Sequence, residues 1–242
     1  MGEAKRRQAK GEPNPDRQKR VGRQRLAWGA GLVLVVGAVA LTLYLATPGQ
    51  GPLVALPEAP AEAGPFPAEL DVFGVQIGDP DAPVVVREFA DYQCPACAQF
   101  ARVHERLKTD YIDTGKVRLV FFEMPLSHHA NAMPAAQAAR CAGDQDAYWD
   151  MKAQLFSEQS RWSSVSDPLS LFSGYAEGLG LHEGRFQRCL EREQRREQVE
   201  ASVAVARQLR VASTPTVLVD NILLNRPGWE QLSGVIEREL QR

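Results

Sequence analysis

Two short apolar runs flank a helical pattern in the middle of the chain. Residues 84–89 and 117–122 are rich in valine and phenylalanine, which is typical of strands buried in a sheet. Between them, apolar side chains recur every three or four residues, which predicts a helix over residues 97–113. One side of this helix carries Phe100, Val103, Leu107 and Tyr111. The pattern therefore predicts a β–α–β unit.

The pattern changes after this unit. Residues 130–210 show almost no strand signal and contain several helical stretches separated by glycine and proline. Residues 216–220 and 222–225 are typical of two strands joined by a turn, and an amphipathic helix runs from Trp229 to Leu240. The order β–α–β, helical block, β–β–α predicts one α/β domain with a helical insertion at about 128–210.

An uncharged run of 21 residues, 26–46, precedes this domain. As a helix it is about 30 Å long, the thickness of bilayer hydrocarbon, which predicts a transmembrane anchor. Trp28 and Tyr44 lie near its ends, where aromatic rings favour the interface. The alternative is a cleaved signal peptide, but the run exceeds the usual signal core and ends without an A-x-A site. Both interpretations place the domain outside the cytoplasm.

The charged residues are also distributed unevenly between the first 25 residues and the rest of the chain. The chain has 28 Lys+Arg and 30 Asp+Glu, but residues 1–25 hold nine bases and three acids, which leaves 19 bases and 27 acids elsewhere. The positive-inside rule predicts a single-pass membrane protein with residues 1–25 in the cytoplasm and the domain on the other side of the membrane. Because only the arm is basic, a globally basic nucleic-acid binder is excluded.

Residues 47–67 contain six prolines and three glycines, which predicts a semi-extended linker. The folded domain is then expected over 68–242, long enough for one substantial core. The four cysteines are too few for a dense disulfide scaffold.

The strongest chemical signal is Cys94-Pro95-Ala96-Cys97, directly after a predicted strand. Proline suits the first position of a helix, so Cys94 is expected at the helix N-terminus, where free N–H groups and the dipole favour a thiolate. Cys97 lies one turn further along the helix and can attack a mixed disulfide formed at Cys94. The spacing favours thiol–disulfide exchange. A zinc site lacks a second close pair of ligands, and an inert disulfide stays open as an alternative.

Several motifs together resemble the DsbA-like thioredoxin-fold family, and within it the membrane-tethered branch that includes BdbD. The similarity covers residues 70–242. The matching segments are Val84 to Cys97, Phe122-Glu-Met-Pro-Leu126, His129-Ala-Asn-Ala132, Ala138-Ala-Arg-Cys-Ala142 and Ser213-Thr-Pro-Thr-Val217. The resemblance implies a thioredoxin-like fold with a helical insertion.

The resemblance also implies roles for single residues. Cys94 matches the nucleophile that bonds to a client protein, and Cys97 matches the buried partner that resolves this bond. Thr214 and Pro215 match a loop with a cis proline that pairs its backbone with an extended substrate. Glu88 matches a partly buried acid that carries the proton of Cys97, although an ordinary surface charge on a strand is the alternative.

One departure from the family concerns the dipeptide between the cysteines. It is Pro-Ala here, whereas the strong oxidant of the family has Pro-His. Ala96 cannot support a Cys94 thiolate by hydrogen bonding, so we expect a less oxidising disulfide.

Cys141 and Cys189 lie on apolar faces of the helical block. They are either two buried free thiols or a disulfide that closes a loop of 48 residues. The even cysteine count and the expected oxidising compartment favour a structural disulfide, and some members of the resembled branch carry a second one in this block.

Other candidates receive simpler interpretations. His128 and His129 fit a loop better than a metal site, and His104 is expected to face solvent. Trp162 and Phe172 are expected in the core rather than along an apolar client groove.

These features predict a membrane-anchored extracytoplasmic protein-disulfide oxidoreductase that donates the Cys94–Cys97 disulfide to reduced secreted or membrane proteins. It is expected to need no cofactor or metal and to be reoxidised by a quinone-linked membrane partner of the DsbB or VKOR kind. Two alternatives stay open. One is a reductase or isomerase fed by a membrane electron donor, and the other is a non-catalytic chaperone or binding module on the same fold.

Overall fold

The computed structural model describes residues 56–60 and 64–242. The predicted basic arm 1–25, the predicted anchor 26–46 and much of the linker 47–67 lie outside the described residues. Within the described residues, no helix has the length and apolar character needed to cross a membrane.

A mixed β-sheet forms the centre of the described domain. Its strands are ordered β1–β3–β2–β4–β5. The central strand β2 runs parallel to β3 and antiparallel to β4. The strands are β1 (Val75–Ile77), β2 (Val84–Ala90), β3 (Val117–Glu123), β4 (Thr216–Val219) and β5 (Ile222–Leu223).

Strands β2 and β3 are nearly continuous runs of buried residues, as the sequence pattern predicts. Such runs suit parallel strands covered on both faces, and the crossover between them needs a helical connection. The predicted hairpin is β4–β5, in which Leu218 pairs with Leu223. Its turn residue Asp220 has a φ of 53°, a left-handed conformation that aspartate tolerates better than most residues.

Helices cover both faces of the sheet and fill the segment between β3 and β4. Before β3 lie α1 (Pro95–Ala101) and α2 (His104–Leu107), followed by one π turn (Lys108–Ile112). The helical block comprises α3 (Ala132–Gly143), α4 (Tyr148–Ser157), α5 (Gln159–Trp162), α6 (Leu169–Gly178), α7 (Glu183–Glu191) and α8 (Arg196–Gln208). The last helix is α9 (Trp229–Glu239).

The single helix predicted over 97–113 is wrong in detail, because the structure divides it. Val103 donates to the carbonyl of Phe100, three residues back, and this tighter turn separates α1 from α2. Asp113 donates to the carbonyl of Lys108, five residues back, which closes the π turn. The apolar stripe of the sequence still packs into one core, which also receives α9 and β4.

The core of the helical block packs against the active-site end of the sheet. Trp162 and Phe172 are fully buried there, in edge-to-face contact with ring centroids 5.5 Å apart. The prediction that they are core residues is confirmed, and they do not line a client groove.

The segment before the sheet is packed on the domain rather than held away from it. Leu56 contacts the core around α9, and Arg238 donates to the carbonyl of Pro57 at 2.8 Å. A 3-10 helix (Ala68–Phe73) follows and supplies the buried carboxylate of Asp71.

Arg87, a buried residue of β2, connects this segment to the sheet. Its guanidinium donates to both carboxylate oxygens of Asp71, at 2.7 and 2.8 Å, and to the carbonyl of Asp220 at 3.2 Å. The ring of Phe66 stacks on it, with the guanidinium carbon 4.0 Å from the ring centroid. A buried charge is costly unless it is paired, and these contacts provide that pairing.

Candidate active site

Cys94 and Cys97 lie where strand β2 gives way to helix α1. Cys94 is the N-cap of α1, and Pro95 takes the first helical position, as the sequence predicts. The backbone N–H groups of Cys97 and Ala98 both bond to the carbonyl of Cys94, at 3.1 and 3.2 Å. Both cysteines are free thiols in this structure.

The two sulfurs differ in access to solvent. Cys94 retains 9% of its surface and is flanked by the exposed residues Pro95 and Ala96, whereas Cys97 retains 0%. A client thiolate therefore reaches Cys94 first. Cys97 reacts only from inside the site.

The loop before β4 lies against Cys94. The Thr214–Pro215 peptide bond is cis, and the thiol of Cys94 donates to the carbonyl of Thr214 at 3.6 Å. The structure thus brings the two predicted substrate-binding residues to the predicted nucleophile, although they are 120 residues apart in the chain.

Cys97 lies in an environment that disfavours its thiolate. Burial raises the pKa of the Cys97 thiol far above its usual value, and the charges of Cys94 and Glu88 raise it further. The N–H of Asp91, 3.5 Å from the sulfur, and the hydroxyl of Thr214 offset part of this effect. When Cys97 is released from a disulfide, it must therefore gain a proton inside the protein.

Glu88 lies in the middle of β2 and is fully buried, so the alternative of an ordinary surface charge is wrong. Its Oε2 lies 2.7 Å from Nε2 of His104. Its Oε1 is buried and has no hydrogen-bond partner among the described residues. Burial raises the pKa of Glu88, but His104 and Lys152 outweigh burial and hold that pKa below its usual value.

The expectation that His104 faces solvent is wrong. Its side chain is only 17% exposed and reaches inward from α2 to Glu88. It sits in the apolar stripe, four residues after Phe100 and three before Leu107, so the helix turns it toward the core. Burial is the main reason that the pKa of His104 lies below its usual value.

Lys152 of α4 was not predicted as a site residue. Its Nζ lies 2.8 Å from Nδ1 of His104 and 4.4 Å from the ring centroid of Phe121. Burial lowers the pKa of Lys152 to about 8, although Glu88, Cys97 and Glu123 act in the opposite direction. A sequence signal was present, because the buried face of α4 consists of Tyr148, Met151, Lys152, Leu155 and Phe156.

Asp91 holds the turn before Cys94 in place and was also missed. Its carboxylate accepts from the N–H groups of Gln93 and Leu126, at 2.6 and 2.8 Å. It also lies 2.8 Å from Nδ1 of His129, which agrees with a loop role for that histidine. Between residues 64 and 242, no cluster of histidine, cysteine or acidic residues is arranged to hold a metal ion.

Cys141 and Cys189 are joined in a disulfide between α3 and α7, with Cα atoms 5.8 Å apart. Both cysteines are buried in the core of the helical block.

Comparisons with known proteins agree with this geometry. The family model described as thioredoxin matches residues 71–238. A probable disulfide bond formation protein D of Bacillus anthracis is 31% identical over 172 residues, covering 69% of this chain and 78% of that protein. The disulfide bond formation protein D of Bacillus subtilis is 28% identical over 170 residues, covering 68% and 76%.

A solved structure shows the same fold. The crystal structure of oxidised BdbD from Bacillus subtilis has a TM-score of 0.64 and 24% identity, over 77% of this chain and 98% of that chain. The thioredoxin-like α/β fold and the resemblance drawn from the sequence motifs are confirmed. This chain belongs to the thioredoxin family, within it to the DsbA-like proteins of the BdbD type, and it is a protein-disulfide oxidoreductase.

Proposed function

We propose that this protein is anchored in the bacterial cytoplasmic membrane and passes the Cys94–Cys97 disulfide to reduced secreted or membrane proteins. The observation that carries the proposal is the asymmetry of the pair. Cys94 is accessible beside the carbonyl of Thr214, whereas Cys97 is enclosed next to a buried acid.

The reaction follows from this asymmetry. A client thiolate attacks Sγ of Cys94, a client–Cys94 disulfide forms, and the Cys94–Cys97 bond breaks. Cys97 leaves with the electron pair and takes up a proton, because its environment disfavours the thiolate. A second client thiolate then attacks the client sulfur of the mixed disulfide and releases Cys94. The client is oxidised by two electrons, and the cysteine pair is reduced by two.

The loop at Thr214 and Pro215 is the proposed docking point for the client chain. An extended peptide that pairs with the backbone of Thr214 would lie next to Cys94, in the manner of an added strand. Ser213 and Thr214 precede the short edge hairpin β4–β5, so a client strand can approach from the open end of the sheet.

The proposed location rests on the sequence before the domain. The basic arm and the uncharged run 26–46 favour a cytoplasmic N-terminus with the domain on the other side of the membrane. The Cys141–Cys189 disulfide is of a kind that persists in such oxidising compartments. A membrane quinone-linked partner of the DsbB or VKOR kind would then return the cysteine pair to the disulfide.

Trapping tests the proposal most directly. In cells, Cys97→Ala should accumulate mixed disulfides between Cys94 and client proteins, because the neighbouring Cys97 thiol that attacks Cys94 and releases the client is absent. Cys94→Ala is the matched control and should trap none. Mass spectrometry of the trapped adducts identifies the clients, and adducts with cytoplasmic proteins alone would contradict the proposed location.

The reduction potential separates the proposal from its first alternative. A value near that of thioredoxin, roughly −270 mV, would favour a reductase or isomerase, whereas a value nearer to about −120 mV favours an oxidase. The second alternative, a non-catalytic chaperone, would be favoured if Cys94→Ser left client oxidation in cells unchanged.

A further inference from the structure

The proton that Cys97 gains has to come through the protein. Cys97 has no exposed surface, and the charge of Glu88 acts directly on it. Glu88 is fully buried as well, so it cannot exchange protons with bulk water by itself. A route from Glu88 to solvent is therefore required if the carboxylate serves more than one turnover.

The structure contains a continuous chain of polar atoms that leads away from Glu88. Lys152 Nζ lies 2.8 Å from Nδ1 of His104, and His104 Nε2 lies 2.7 Å from Oε2 of Glu88. A lysine amine donates, so Nδ1 accepts and the ring proton resides on Nε2, which donates to the carboxylate. The Lys152 ammonium donates, the Glu88 carboxylate accepts, and the His104 ring between them does both. Oε1 of Glu88 is buried and has no hydrogen-bond partner among the described residues.

His104 and Lys152 both lie at a cavity of about 820 Å³ between α1–α2 and α4, where the His104 side chain is 17% exposed and Lys152 is 3% exposed. The cavity is large enough for many water molecules. Charged residues at its wall are Arg102, Glu105, Lys108 and Asp150. Both His104 and Lys152 line it, whereas Glu88 and Cys97 do not.

We propose that His104 and Lys152 carry protons between this cavity and Glu88, and so supply the proton that Cys97 takes up when its disulfide opens. The inference rests on the thiol–disulfide exchange proposed above and adds two residues to it. They are positioning residues, because they act on the cysteines only through Glu88.

The transfers balance at each step. The Cys94–Cys97 bond breaks, and Cys97 leaves as a thiolate. His104 passes its Nε2 proton to Glu88, Lys152 passes one to Nδ1 of His104, and protonated Glu88 gives its proton to Cys97. A cavity water reprotonates Lys152. The net change is one proton from solvent to the Cys97 sulfur and a shift of the His104 ring proton from Nε2 to Nδ1. The reverse sequence removes the Cys97 proton and restores the Nε2–H form of His104 when the pair is reoxidised.

Two features indicate that the hydrogen-bonded groups Glu88, His104 and Lys152 do more than fill space in the core. Lysine and histidine occupy helix positions where the neighbouring core residues are apolar, and an apolar side chain there would avoid the cost of burying polar groups. The charges that face Lys152 are those of Glu88 on β2, Glu123 on β3 and Cys97 on α1. They leave the pKa of Lys152 at about 8, so the amine can release and regain a proton near neutral pH.

His104→Gln is the primary test. Glutamine keeps one donor and one acceptor but cannot take up and pass on a proton. Opening of the Cys94–Cys97 disulfide by excess dithiothreitol should slow by about tenfold or more at pH 7, measured by acid quench and thiol alkylation. The equilibrium reduction potential should not change, because a relay affects rates and not end states. His182→Gln, an exposed histidine at the start of α7, is the matched control and should react like the unaltered protein.

Chemical rescue tests the same role in a second variant. His104→Ala should also open slowly, and added imidazole should restore much of the rate, because the cavity admits a molecule of that size. Slow opening that imidazole does not restore, together with a changed reduction potential, would show that His104 only supports the structure.

Lys152→Met tests the outer donor through the pH profile. At a constant concentration of dithiothreitol thiolate, the unaltered protein should open more slowly above pH about 8, where Lys152 loses its proton. The rate of disulfide opening in Lys152→Met should show no such decrease. Identical profiles in the two proteins would overturn the proposal.

These assays use a small dithiol and no client, so they do not depend on the direction of electron flow in cells. If client trapping through Cys94 fails but the His104 variants slow disulfide opening, the relay stands and the proposed oxidase role falls. If trapping succeeds and the His104 variants open at the unaltered rate, the relay falls alone.

Discussion

The two cysteine pairs of this domain use the same chemistry for opposite purposes. Cys94 and Cys97 are three residues apart on one helix turn, so their bond closes a very small loop. Cys141 and Cys189 are 48 residues apart and connect two helices of the insertion. Because a disulfide stabilises mainly by restricting the unfolded chain, the second bond contributes far more to folding. The first pair can therefore open and close without loss of the fold.

The charged side chains around the two cysteine pairs also differ. Near Cys97 lie a buried acid, a histidine and a lysine that are joined by hydrogen bonds. Near the second pair, the charged side chain Asp144 is already neutralised, because Arg195 donates to both of its carboxylate oxygens. The two pairs therefore differ in the ionisable groups that surround their sulfurs. This comparison yields four predictions, given from the largest expected effect to the smallest.

Replacing the accessible sulfur should have the largest effect. Cys94→Ala should lower the rate of thiol–disulfide exchange with a reduced, unfolded client by three orders of magnitude or more, which is at least about 4 kcal/mol. The double replacement Cys141→Ala with Cys189→Ala should keep the rate within about threefold. If the double variant lost as much of the exchange rate as Cys94→Ala, the conclusion that only the Cys94–Cys97 pair is catalytic would be wrong.

Replacing the second pair should instead affect folding. The double variant Cys141→Ala with Cys189→Ala should lower the free energy of unfolding by about 4 kcal/mol, the chain-entropy value for its loop. Urea denaturation followed by circular dichroism measures this change. Cys94→Ala should shift the same quantity by only about 1 kcal/mol, because it removes a single sulfur atom and opens no long loop. If both variants lost a similar amount of the free energy of unfolding, the conclusion that the second disulfide contributes more to folding would be wrong.

The two sulfurs of the active pair should also differ in reactivity. At pH 8, iodoacetamide should label Cys94 of the reduced native protein at least about a hundred times faster than Cys97, because Cys97 is enclosed and its pKa is raised. Peptide mass mapping after timed quenching measures the two rates. In urea the rates should become similar, and equal rates in the native protein would contradict the buried position of Cys97.

The smallest effect concerns the exposed residue between the active cysteines. Ala96→His should make the disulfide more oxidising by about 30 mV, equivalent to about 1.4 kcal/mol, because an imidazole there can support the Cys94 thiolate. Equilibration with glutathione buffers measures the potential. Ala96→Gln, which is polar but uncharged, should shift it less. An unchanged potential in Ala96→His would show that the Pro-Ala dipeptide does not set it.

The sequence predicted the parts of the fold that depend on long apolar runs. Strands β2 and β3 follow from such runs, because burial on both faces leaves a continuous pattern. The hairpin and the last helix follow instead from a turn signal and an amphipathic pattern. Strand β1 has only three residues and pairs at the edge with β3, so its pattern is too short to recognise. The break between α1 and α2 was missed because the apolar stripe continues through it.

The candidate site was predictable where motifs carry it and not where tertiary contacts create it. Cys94, Cys97 and the loop at Pro215 were found from local sequence. His104 was assigned to solvent because polar residues on helices usually face water, although its spacing places it among core residues. Lys152 joins the site from a helix 48 residues away from His104, a contact that only the packing of α4 against the sheet establishes.

Strand β2 carries two buried charges of opposite sign at successive positions, Arg87 and Glu88. Successive side chains of a strand point to opposite faces of the sheet, so the two belong to separate networks. Arg87 holds the segment before the sheet by a hydrogen-bonded ion pair with Asp71 and a cation–π contact with Phe66. In mechanical terms, the segment ahead of the sheet is fastened at two places, where Pro57 accepts from Arg238 and where Asp71 accepts from Arg87. Neither attachment uses a residue of the thiol site.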